Sequence, residues 1–344
     1  MATFRKLQVV TQSNEFVTAT KINVFPLIEP KDDELRIRVV YTGINMTDVN
    51  VCAGRYFADD EPPYDIGFES LGIIDAIGSK ITENKYKIGQ PVLVFDAERY
   101  DSFSEYLYKK VQCITPVPEL KPEYLVALGS GLTATIGLDI AGRVKKGDKV
   151  LVVAAAGGTG MIAAQWAKHR GAYVIGTTST EEKEKFLKEI GVDCVINYKK
   201  NSLTNVLSEK FPNGIDVIWE TIGNESLKNL FEHLANRGRM AVIGSTYSYK
   251  NEGIAEVQIE NWNAKLLRGS KSLNGFALFE YSELFDQYLT QLIDMISNGT
   301  IKVKVDLGHT SMEGKFVQLE SIARAEEYLQ NGKNIGKVIV QLVE

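Results

Sequence analysis

Several features are scarce in this chain of 344 residues, and each scarcity excludes a class of protein. The three cysteines, Cys52, Cys113 and Cys194, are far apart and form no CxxC pair, which argues against a disulfide framework and favours a reducing compartment. The three histidines are not spaced as a pair of metal ligands. No run of five or six basic residues occurs and the net charge is −5, so nucleic acid is not an expected partner.

Segments that address a protein to a membrane or an organelle are also missing from the sequence pattern. No apolar run approaches the roughly eighteen residues needed to cross a bilayer. The N-terminal stretch MATFRKLQVV favours a strand rather than a signal peptide, and the terminal QLVE is not a peroxisomal address of the SKL type. We therefore expect no membrane partner and a cytoplasmic location.

The chain contains two regions with different secondary-structure patterns. The first 120 or so residues are short runs rich in β-branched and aromatic residues, which predict a β-rich domain. From Pro122 onward strand-like and helical segments alternate, which predicts a doubly wound parallel sheet of the Rossmann type. We expect a discontinuous β-rich domain, residues 1–124 and 298–344, around a nucleotide-binding domain, residues 125–297. The expected helices include Met46–Ala53, Glu181–Ile190, Ser226–Asn236, Tyr281–Ser297 and Leu319–Leu329.

A glycine turn lies between an apolar strand and a helical pattern in VLVVAAAGGTGMIAAQ. Gly157 would let the chain turn, and Gly158 and Gly160 would let a pyrophosphate and the first strand approach the backbone. The helix that follows would offer free N–H groups and a partial positive charge to a phosphate. Because the turn sits inside a βαβ pattern, we interpret it as a dinucleotide site; the alternative is a merely structural turn.

The acid that usually ends the second strand of such a fold is missing. An NAD site places a carboxylate there for the ribose hydroxyls, whereas this chain reads TTSTEEK from Thr177. Ser179 and Lys183 can instead contact a 2′-phosphate, and Tyr198 can close the pocket, so the pattern favours NADP(H). Two alternatives stay open: Lys183 is an ordinary solvated lysine, or Glu181 or Glu182 bends back to the ribose instead of serving as a first-turn acid.

Nearly the whole chain resembles the medium-chain dehydrogenase/reductase superfamily. The stretches GINMTDVNVCAGRYFADDEPPYDIGFESLG, KPEYLVALGSGLTATIGL and GKNIGKVIV are similar to its zinc-independent quinone reductase and prostaglandin reductase branch. The resemblance implies an α/β fold, with a GroES-like β-rich catalytic domain beside the Rossmann sheet. It also implies a homodimer formed through the sheet edge near residues 272–278, and it leaves a peroxisomal location open as the alternative to the cytoplasm.

The resemblance also bears on metal. Zinc members of the superfamily use a Cys and a Gly-His-Glu triplet as ligands, and the matching triplet here is Gly67-Phe68-Glu69. The nearby Cys52 has no His partner, and the four-cysteine lobe of a structural zinc is absent. We therefore expect no bound metal.

The implied activity is the NADPH-dependent reduction of the carbon–carbon double bond of an α,β-unsaturated ketone, as in a 15-oxoprostaglandin 13-reductase. The substrate oxygen would need a hydrogen-bond donor. Candidate catalytic residues are Asn45, Tyr56 and Tyr249, although Tyr56 alternatively serves only aromatic packing. Asp48 is interpreted as a supporting acid rather than a base. A quinone reductase using the same cofactor and a non-catalytic NADPH-binding protein are the alternative functions.

The resemblance further implies a set of cofactor contacts along the nucleotide-binding domain and its neighbouring loops. They are Gly157, Gly158, Thr159, Gly160, Ser179, Lys183, Tyr198, Thr221, Ile243, Tyr249, Phe276, Ala277, Leu278 and Asn334.

Overall fold

The computed structural model describes residues 1–56, 61–82, 85–249 and 257–343. The chain forms two compact units, unit 1 (Met1–Gly129 with Lys304–Glu344) and unit 2 (Ser130–Val303). The sequence placed these boundaries after residues 124 and 297. The first boundary falls later because the helical segment that starts at Pro122 is tied to unit 1, where the Gly129 N–H donates to a carboxylate oxygen of Glu69 at 2.8 Å.

The secondary structure is numbered along the chain. The strands are β1 (Thr3–Val9), β2 (Thr20–Pro26), β3 (Glu34–Gly43), β4 (Tyr64–Asp65), β5 (Glu69–Ile77), β6 (Pro91–Phe95), β7 (Tyr106–Lys110), β8 (Ile114–Pro116), β9 (Lys149–Val152), β10 (Tyr173–Thr178), β11 (Cys194–Asn197), β12 (Ile215–Glu220), β13 (Leu234–Val242), β14 (Ser272–Gly275), β15 (Val305–Asp306) and β16 (Lys337–Gln341). The α-helices are α1 (Phe16–Ala19), α2 (Asp48–Cys52), α3 (Thr133–Gly137), α4 (Gly158–His169), α5 (Glu181–Glu189), α6 (Leu203–Lys210), α7 (Asn224–Glu232), α8 (Trp262–Gly269), α9 (Phe285–Ser297) and α10 (Ile322–Gln330).

Unit 1 is built from two sheets. One has the order β2-β1-β4, and the other has the order β15-β16-β3-β5-β6-β8, with β7 also paired to β3. Strand β3 shows how the sequence forms this sheet: Leu35, Ile37 and Val39 alternate along it and are fully buried. Strand β16 comes from the C-terminal segment and pairs antiparallel with β3, so chain ends far apart in sequence meet in one sheet.

Unit 2 contains a six-stranded parallel sheet with the order β11-β10-β9-β12-β13-β14. Its central strand β9 carries Val150, Leu151 and Val152, all fully buried, which explains the continuous apolar run in the sequence. The predicted doubly wound Rossmann sheet is confirmed. Since all six strands are parallel, their carboxyl ends meet at one edge, where such sheets bind ligands.

Some helix predictions were close and others were wrong at their ends. Helix α5 ends one residue before the predicted Ile190, whereas the helix expected over Ser226–Asn236 is α7, which stops at Glu232. The chain leaves α7 early because Leu234 pairs with Ile215 in the sheet. Sheet pairing outweighs the helical pattern there.

The other expected helices begin later than predicted. Tyr281 has non-helical backbone angles within the 3-10 segment Leu278–Leu284, so the regular helix α9 starts only at Phe285. The helix near the C-terminus likewise opens with a 3-10 turn, Leu319–Ser321, before α10. The helix predicted over Met46–Ala53 is the shorter α2.

The observation that no apolar segment is long enough to span a bilayer needs correction, while the expectation of no membrane partner stays a prediction. Among the described residues, a helical segment of 21 residues, Pro122–Gly142, is long and apolar enough by composition to span a bilayer. However, 78% of its most apolar window is buried inside the protein, as in the core helix of a globular domain. Its backbone mixes 3-10, α and π turns, and Thr135 donates to the Gly131 carbonyl at 2.9 Å.

Candidate active site

The glycine turn of unit 2 joins β9 to α4. Ala154 adopts a left-handed backbone (φ 52°), and its N–H donates to the hydroxyl of Thr177 at 3.1 Å. Gly157 is the N-cap of α4 and supplies no side-chain cap. The first N–H groups of a helix have no acceptor within it, and the helix dipole is positive at this end. The start of α4, at Gly158 and Thr159, therefore suits an anionic group such as a pyrophosphate.

The glycines of this turn are not equivalent. A Cβ on Gly160 would lie 2.4 Å from the Ala154 carbonyl oxygen and 2.8 Å from the Ala155 Cα, both rigid backbone atoms. A Cβ on Gly157 would lie 3.4 Å from the same oxygen, which is a tolerable contact. Gly160 is therefore required by the packing of α4 on the turn, whether or not a ligand is bound.

The residues predicted to select the phosphate gather at the carboxyl ends of β10 and β11. The Tyr198 N–H donates to the Thr178 carbonyl at 3.0 Å, which places Tyr198 beside the end of β10. Thr180 caps α5 by accepting from the Lys183 N–H at 3.3 Å, so Ser179 and Lys183 belong to one turn. Ser179 and Lys183 are half-buried and Tyr198 is exposed. The structure thus brings Ser179, Lys183 and Tyr198 to one corner of the sheet.

The acids near this corner have partners of their own. A carboxylate oxygen of Glu181 lies 2.9 Å from the Lys200 ammonium, and the hydrogen bond to Lys200 lowers the pKa of Glu181. Glu184 accepts from the Asn197 amide at 2.6 Å, which lowers the pKa of Glu184. Glu181 is therefore paired on the surface as a first-turn acid, which disfavours its use as a ribose acceptor.

Thr178 is a member of this corner that the sequence reasoning did not select. Its side chain is buried, and its hydroxyl oxygen makes no hydrogen bond within the described part of the chain. A buried polar atom without a partner is costly. A threonine at the end of a strand is common and gives no distinctive sequence signal. Only the structure shows that the Thr178 hydroxyl is buried without a partner in the described residues.

Two further predicted contacts, Thr221 and Ile243, lie where β12 and β13 end. The Ile243 N–H donates to the Glu220 carbonyl at 2.8 Å, and the Thr246 N–H donates to the Thr221 carbonyl at 3.1 Å. Tyr249 is buried here, and its hydroxyl accepts from the Ser245 N–H at 3.0 Å. The Tyr249 hydroxyl therefore already clips this loop together.

Glu220, which the sequence reasoning missed, organises the same turn. Its carboxylate is fully buried and accepts from the Ile222 N–H at 3.0 Å, the Gly223 N–H at 2.8 Å and the Ser226 hydroxyl at 3.0 Å. Burial raises the pKa of Glu220. Glu220 is an acid at the end of a buried strand, directly before Thr-Ile-Gly, and this pattern could have pointed to it in the sequence.

The predicted contacts at Phe276, Ala277 and Leu278 follow the edge strand β14. Phe276 is buried, its N–H donates to the Val242 carbonyl at 3.0 Å, and its ring stacks on Tyr281 at 5.1 Å. Ala277 is exposed and Leu278 is half-buried. Strand β14 lies at the edge of the sheet, and the dimer predicted through it stays a prediction.

In unit 1, Asn45 belongs to a buried polar cluster with Glu69 and Lys337. The Asn45 amide nitrogen donates to a Glu69 carboxylate oxygen at 3.1 Å. The Lys337 ammonium donates to the Asn45 amide oxygen and forms an ion pair with the same Glu69 oxygen. Glu69 and Lys337 are almost completely buried, whereas Asn45 is half-buried. The sequence reasoning identified Asn45 but neither of its partners as site residues.

Asp48 supports this cluster through a hydrogen bond with the backbone of Asn45. Its carboxylate accepts from the Asn45 backbone N–H at 2.8 Å and is fully buried at the start of α2. Burial raises the pKa of Asp48 well above its ordinary value; Glu326 and Glu69 raise it further, while Asn45 and Lys337 oppose the shift. Its full burial and its hydrogen bond to the Asn45 backbone fit a supporting role better than that of a general base.

Tyr56 lines a cavity of about 170 Å³ within unit 1. The cavity is bounded by Val51, Tyr56, Tyr64, Asp65, Glu98, Arg99, Tyr100 and Asp101. Two of its three tyrosine hydroxyls are engaged, because Tyr64 donates to the Val51 carbonyl at 2.8 Å and Tyr100 donates to the Ala97 carbonyl at 3.1 Å. Tyr56 makes no hydrogen bond in the part of the chain that the structure describes. Its hydroxyl is therefore available to a ligand.

Asn334 lies in the loop between α10 and β16. It is buried, and its amide nitrogen donates to the Gly336 carbonyl at 2.7 Å. Gly336 has a left-handed backbone (φ 80°), and a Cβ there would lie 1.9 Å from the Lys304 carbonyl. Asn334 thus shapes its own loop, and its contact with a cofactor stays a prediction.

Comparison with known proteins gives the family. Residues 31–119 match the profile "Alcohol dehydrogenase GroES-like domain", and residues 158–298 match "Zinc-binding dehydrogenase". The chain is 39% identical to Prostaglandin reductase-3 of Mus musculus over 99% of this chain and 90% of that protein. The chain belongs to the medium-chain dehydrogenase/reductase superfamily.

Other members of the superfamily agree with this assignment. The chain is 40% identical to the "Probable quinone oxidoreductase" of Leishmania amazonensis, over 98% of each protein. A mycobacterial protein solved in complex with NADPH shares 27% identity and superposes with a TM-score of 0.81, covering 98% of this chain and 99% of that one. The predicted combination of a GroES-like domain and a Rossmann sheet is therefore confirmed.

This member of the superfamily departs from the zinc pattern where the resemblance predicted. Phe68 is buried and packs on Tyr100 with ring centroids 4.4 Å apart. Cys52 is buried in α2, and burial raises the pKa of its thiol to about 12, which keeps it protonated. Across the described ranges, no group of three His, Cys, Asp or Glu side chains could hold a metal. That the protein works without zinc stays a prediction.

Proposed function

We propose that this oxidoreductase uses NADPH to reduce the carbon–carbon double bond of α,β-unsaturated ketones. The observation that carries the proposal is the Tyr56 hydroxyl. It is available in a cavity whose other two tyrosine hydroxyls are bonded to backbone carbonyls. Such a pocket offers a hydrogen-bond donor to a carbonyl oxygen. The Phe68–Tyr100 packing beside it provides no ligand with which to activate an alcohol.

The residues of unit 2 fit the cofactor. The open start of α4 suits the pyrophosphate, and Gly160 permits the close packing of that helix on its turn. Ser179, Lys183 and Tyr198 at the ends of β10 and β11 would hold a 2′-phosphate, and Glu181 is occupied by Lys200. NADPH held by these residues would supply a hydride for the β-carbon of the enone.

The residues of unit 1 would act on the substrate oxygen. As the β-carbon gains hydride, the double bond shifts and negative charge develops on the carbonyl oxygen. Donors such as Tyr56 and Asn45 would stabilise that charge. The α-carbon then takes one proton from a donor or from water, which leaves a saturated ketone. The buried Asp48, which accepts from the Asn45 backbone N–H, is assigned a supporting role.

The position of the transferred hydrogen tests this proposal. Stereospecifically deuterated NADPH is supplied with an enone, and the product is analysed by NMR and mass spectrometry. We expect deuterium on the β-carbon of a saturated ketone. An allylic alcohol with deuterium on the former carbonyl carbon would contradict double-bond reduction.

Quinone reduction is the second candidate, since the Leishmania amazonensis relative is named a probable quinone oxidoreductase. Quinones are also conjugated carbonyl compounds, so the same donors would serve them. Turnover of enones and quinones measured side by side separates the two functions through their kcat/KM values. NADPH binding without oxidation of NADPH by any compound in either panel would favour a non-catalytic NADPH-binding protein.

A further inference from the structure

The orientation of the Asn45 amide is fixed by the chemistry of its two neighbours. An ammonium group can only donate hydrogen bonds, so the Asn45 atom that faces Lys337 must be the amide oxygen. An ionised carboxylate can only accept, so the atom that faces Glu69 must be the amide nitrogen. The two constraints agree and leave one allowed orientation of the Asn45 amide. The neighbours therefore resolve the usual ambiguity between the amide oxygen and the amide nitrogen.

We infer that Lys337 and Glu69 are positioning residues that hold Asn45 as a hydrogen-bond donor to a carbonyl oxygen of the bound substrate or cofactor. The Asn45 amide has two N–H groups, and Glu69 takes one of them. Its oxygen is taken by Lys337, so the group left for a ligand is the second N–H. The inference rests on the proposed function, in which a carbonyl oxygen gains negative charge and needs donors.

The surroundings of Glu69 show that this arrangement is built into the fold. Its second carboxylate oxygen accepts from the Gly129 N–H at 2.8 Å. A Cβ on Gly43 would lie 2.4 Å from the first oxygen, and one on Gly129 would lie 3.1 Å from the second. Two glycines therefore make room for the carboxylate. A buried ion pair is weak support for stability, because desolvating both charges offsets most of their attraction. Orientation of the half-buried Asn45 amide accounts for the placement of the Glu69–Lys337 ion pair.

The test compares Asn45→Ala, Lys337→Met and the double variant. A matched control is Arg239→Met, which removes the cation of the largely buried Arg239–Asp148 ion pair in unit 2, whereas the Asn45 cluster belongs to unit 1. Steady-state kcat and KM with an enone are measured alongside the NADPH dissociation constant from fluorescence titration and the melting temperature. Lys337→Arg is included because it retains the positive charge.

We expect Asn45→Ala to lower kcat about a hundredfold, as for the loss of an oxyanion donor. Lys337→Met should lower kcat about tenfold to a hundredfold, and the double variant should be no slower than Asn45→Ala, because Lys337 acts through Asn45. Lys337→Arg should recover part of the loss. A changed NADPH dissociation constant would identify the cofactor as the source of the acceptor oxygen; an unchanged one would identify the substrate. Losses that multiply in the double variant, or a Lys337→Met variant that resembles Arg239→Met in losing only stability, would overturn the inference.

A readout independent of turnover separates this inference from the proposed function. In protein labelled with ¹⁵N at asparagine side chains, the Asn45 amide signals are identified by their loss in Asn45→Ala. Lys337→Met and Glu69→Gln should both move these signals, and Arg239→Met should leave them in place. Unmoved signals would refute the positioning role even if enones are reduced. Moved signals in a protein that reduces no enone would refute the proposed function and leave the amide orientation supported.

Discussion

The two candidate ligand sites of this protein are built in opposite ways. In unit 2, the turn from β9 to α4 is a matter of local backbone: Ala154 turns the chain, Gly157 leaves the helix end open and Gly160 lets the helix pack closely. In unit 1, the cluster is made of side chains that meet only through the fold, since Lys337 bonds to Asn45 across 292 positions of sequence.

The comparison teaches how differently the two regions tolerate change. The backbone turn depends on the absence of a side chain at Gly160, so adding atoms at that position should damage it. The side-chain cluster depends on paired charges and hydrogen bonds, so removing or replacing single polar atoms should reveal it. The predictions below test this contrast, beginning with the largest expected effect.

Gly160→Val should abolish measurable NADPH binding. The new Cβ would meet the Ala154 carbonyl and the Ala155 backbone at distances that real contacts do not reach, so the start of α4 must move. Overpacking of this kind costs about 1–3 kcal/mol of stability, and we expect a lower melting temperature as well. Fluorescence titration and thermal unfolding measure the two effects.

Gly157→Ala is the control for that variant. Its Cβ would stand 3.4 Å from the Ala154 oxygen and its φ of −82° suits any residue, so the melting temperature should hardly change. Normal NADPH binding and stability in Gly160→Val would show that α4 does not need this close packing.

Tyr56→Phe should lower kcat for enone reduction by up to about a hundredfold, because it removes a donor to the developing oxyanion. Tyr249→Phe is the matched comparison, since that hydroxyl accepts from the Ser245 N–H. Its loss should cost roughly 0.5–1.5 kcal/mol of unfolding free energy from the lost hydrogen bond. Steady-state kinetics and denaturant unfolding distinguish these roles. Unchanged kcat in Tyr56→Phe would reduce Tyr56 to a packing residue.

Lys183→Ala should weaken NADPH binding by roughly tenfold to a hundredfold and leave NADH nearly unaffected, because a charge-assisted contact to the 2′-phosphate is lost. Lys185→Ala on the same helix, with an exposed side chain, serves as the control. Dissociation constants for both cofactors are compared by titration. Equal losses for NADPH and NADH would argue against a phosphate contact.

Asp48→Asn should stabilise the protein modestly at neutral pH. The unfolded Asp48 ionises near its ordinary pKa, whereas burial raises its folded pKa, so the folded state holds an extra proton between the two values. The contribution of this group to stability is therefore present at low pH and is lost as pH rises through the folded pKa. An asparagine keeps an acceptor for the Asn45 N–H without this loss.

We expect Asp48→Asn to raise the melting temperature by about 2–4 °C at pH 7–8 and to lose this advantage near pH 4. Asp33→Asn, at an exposed position in the same unit, is the control. Melting curves across that pH range decide the matter. A variant that is less stable than the wild type at every pH would show that Asp48 acts as an ionised partner.

Features set by consecutive residues could be predicted from the sequence, whereas features set by contacts between distant residues could not. The Gly157–Gly160 turn, helix α5 and the corner formed by Ser179 and Lys183 were predictable because their patterns occupy a few consecutive residues. The early end of α7 and the late start of α9 were not, since sheet pairing at Leu234 and the irregular backbone at Tyr281 override local preference.

The candidate site was likewise only partly predictable from the sequence. Asn45, Tyr56 and Tyr249 came from the family resemblance, but their differing situations came from the fold. Tyr249 is engaged with its own loop, whereas the Tyr56 hydroxyl makes no hydrogen bond in the described ranges. Glu220 and Thr178 were missed, because burial and hydrogen-bond partners are not properties of a single residue type.

By itself, the sequence determined the α/β class and the glycine turn between a strand and a helix, and it predicted a phosphate-selecting corner, because glycine spacing and a missing acid are properties of a few consecutive residues. Only the tertiary structure decided that Lys337 and Glu69 set the orientation of Asn45 and that burial raises the pKa of Asp48. The physical reason is that hydrogen-bond direction and pKa depend on which charges share a buried space. That space is formed by strands β3, β5 and β16, which the chain contributes from its two ends.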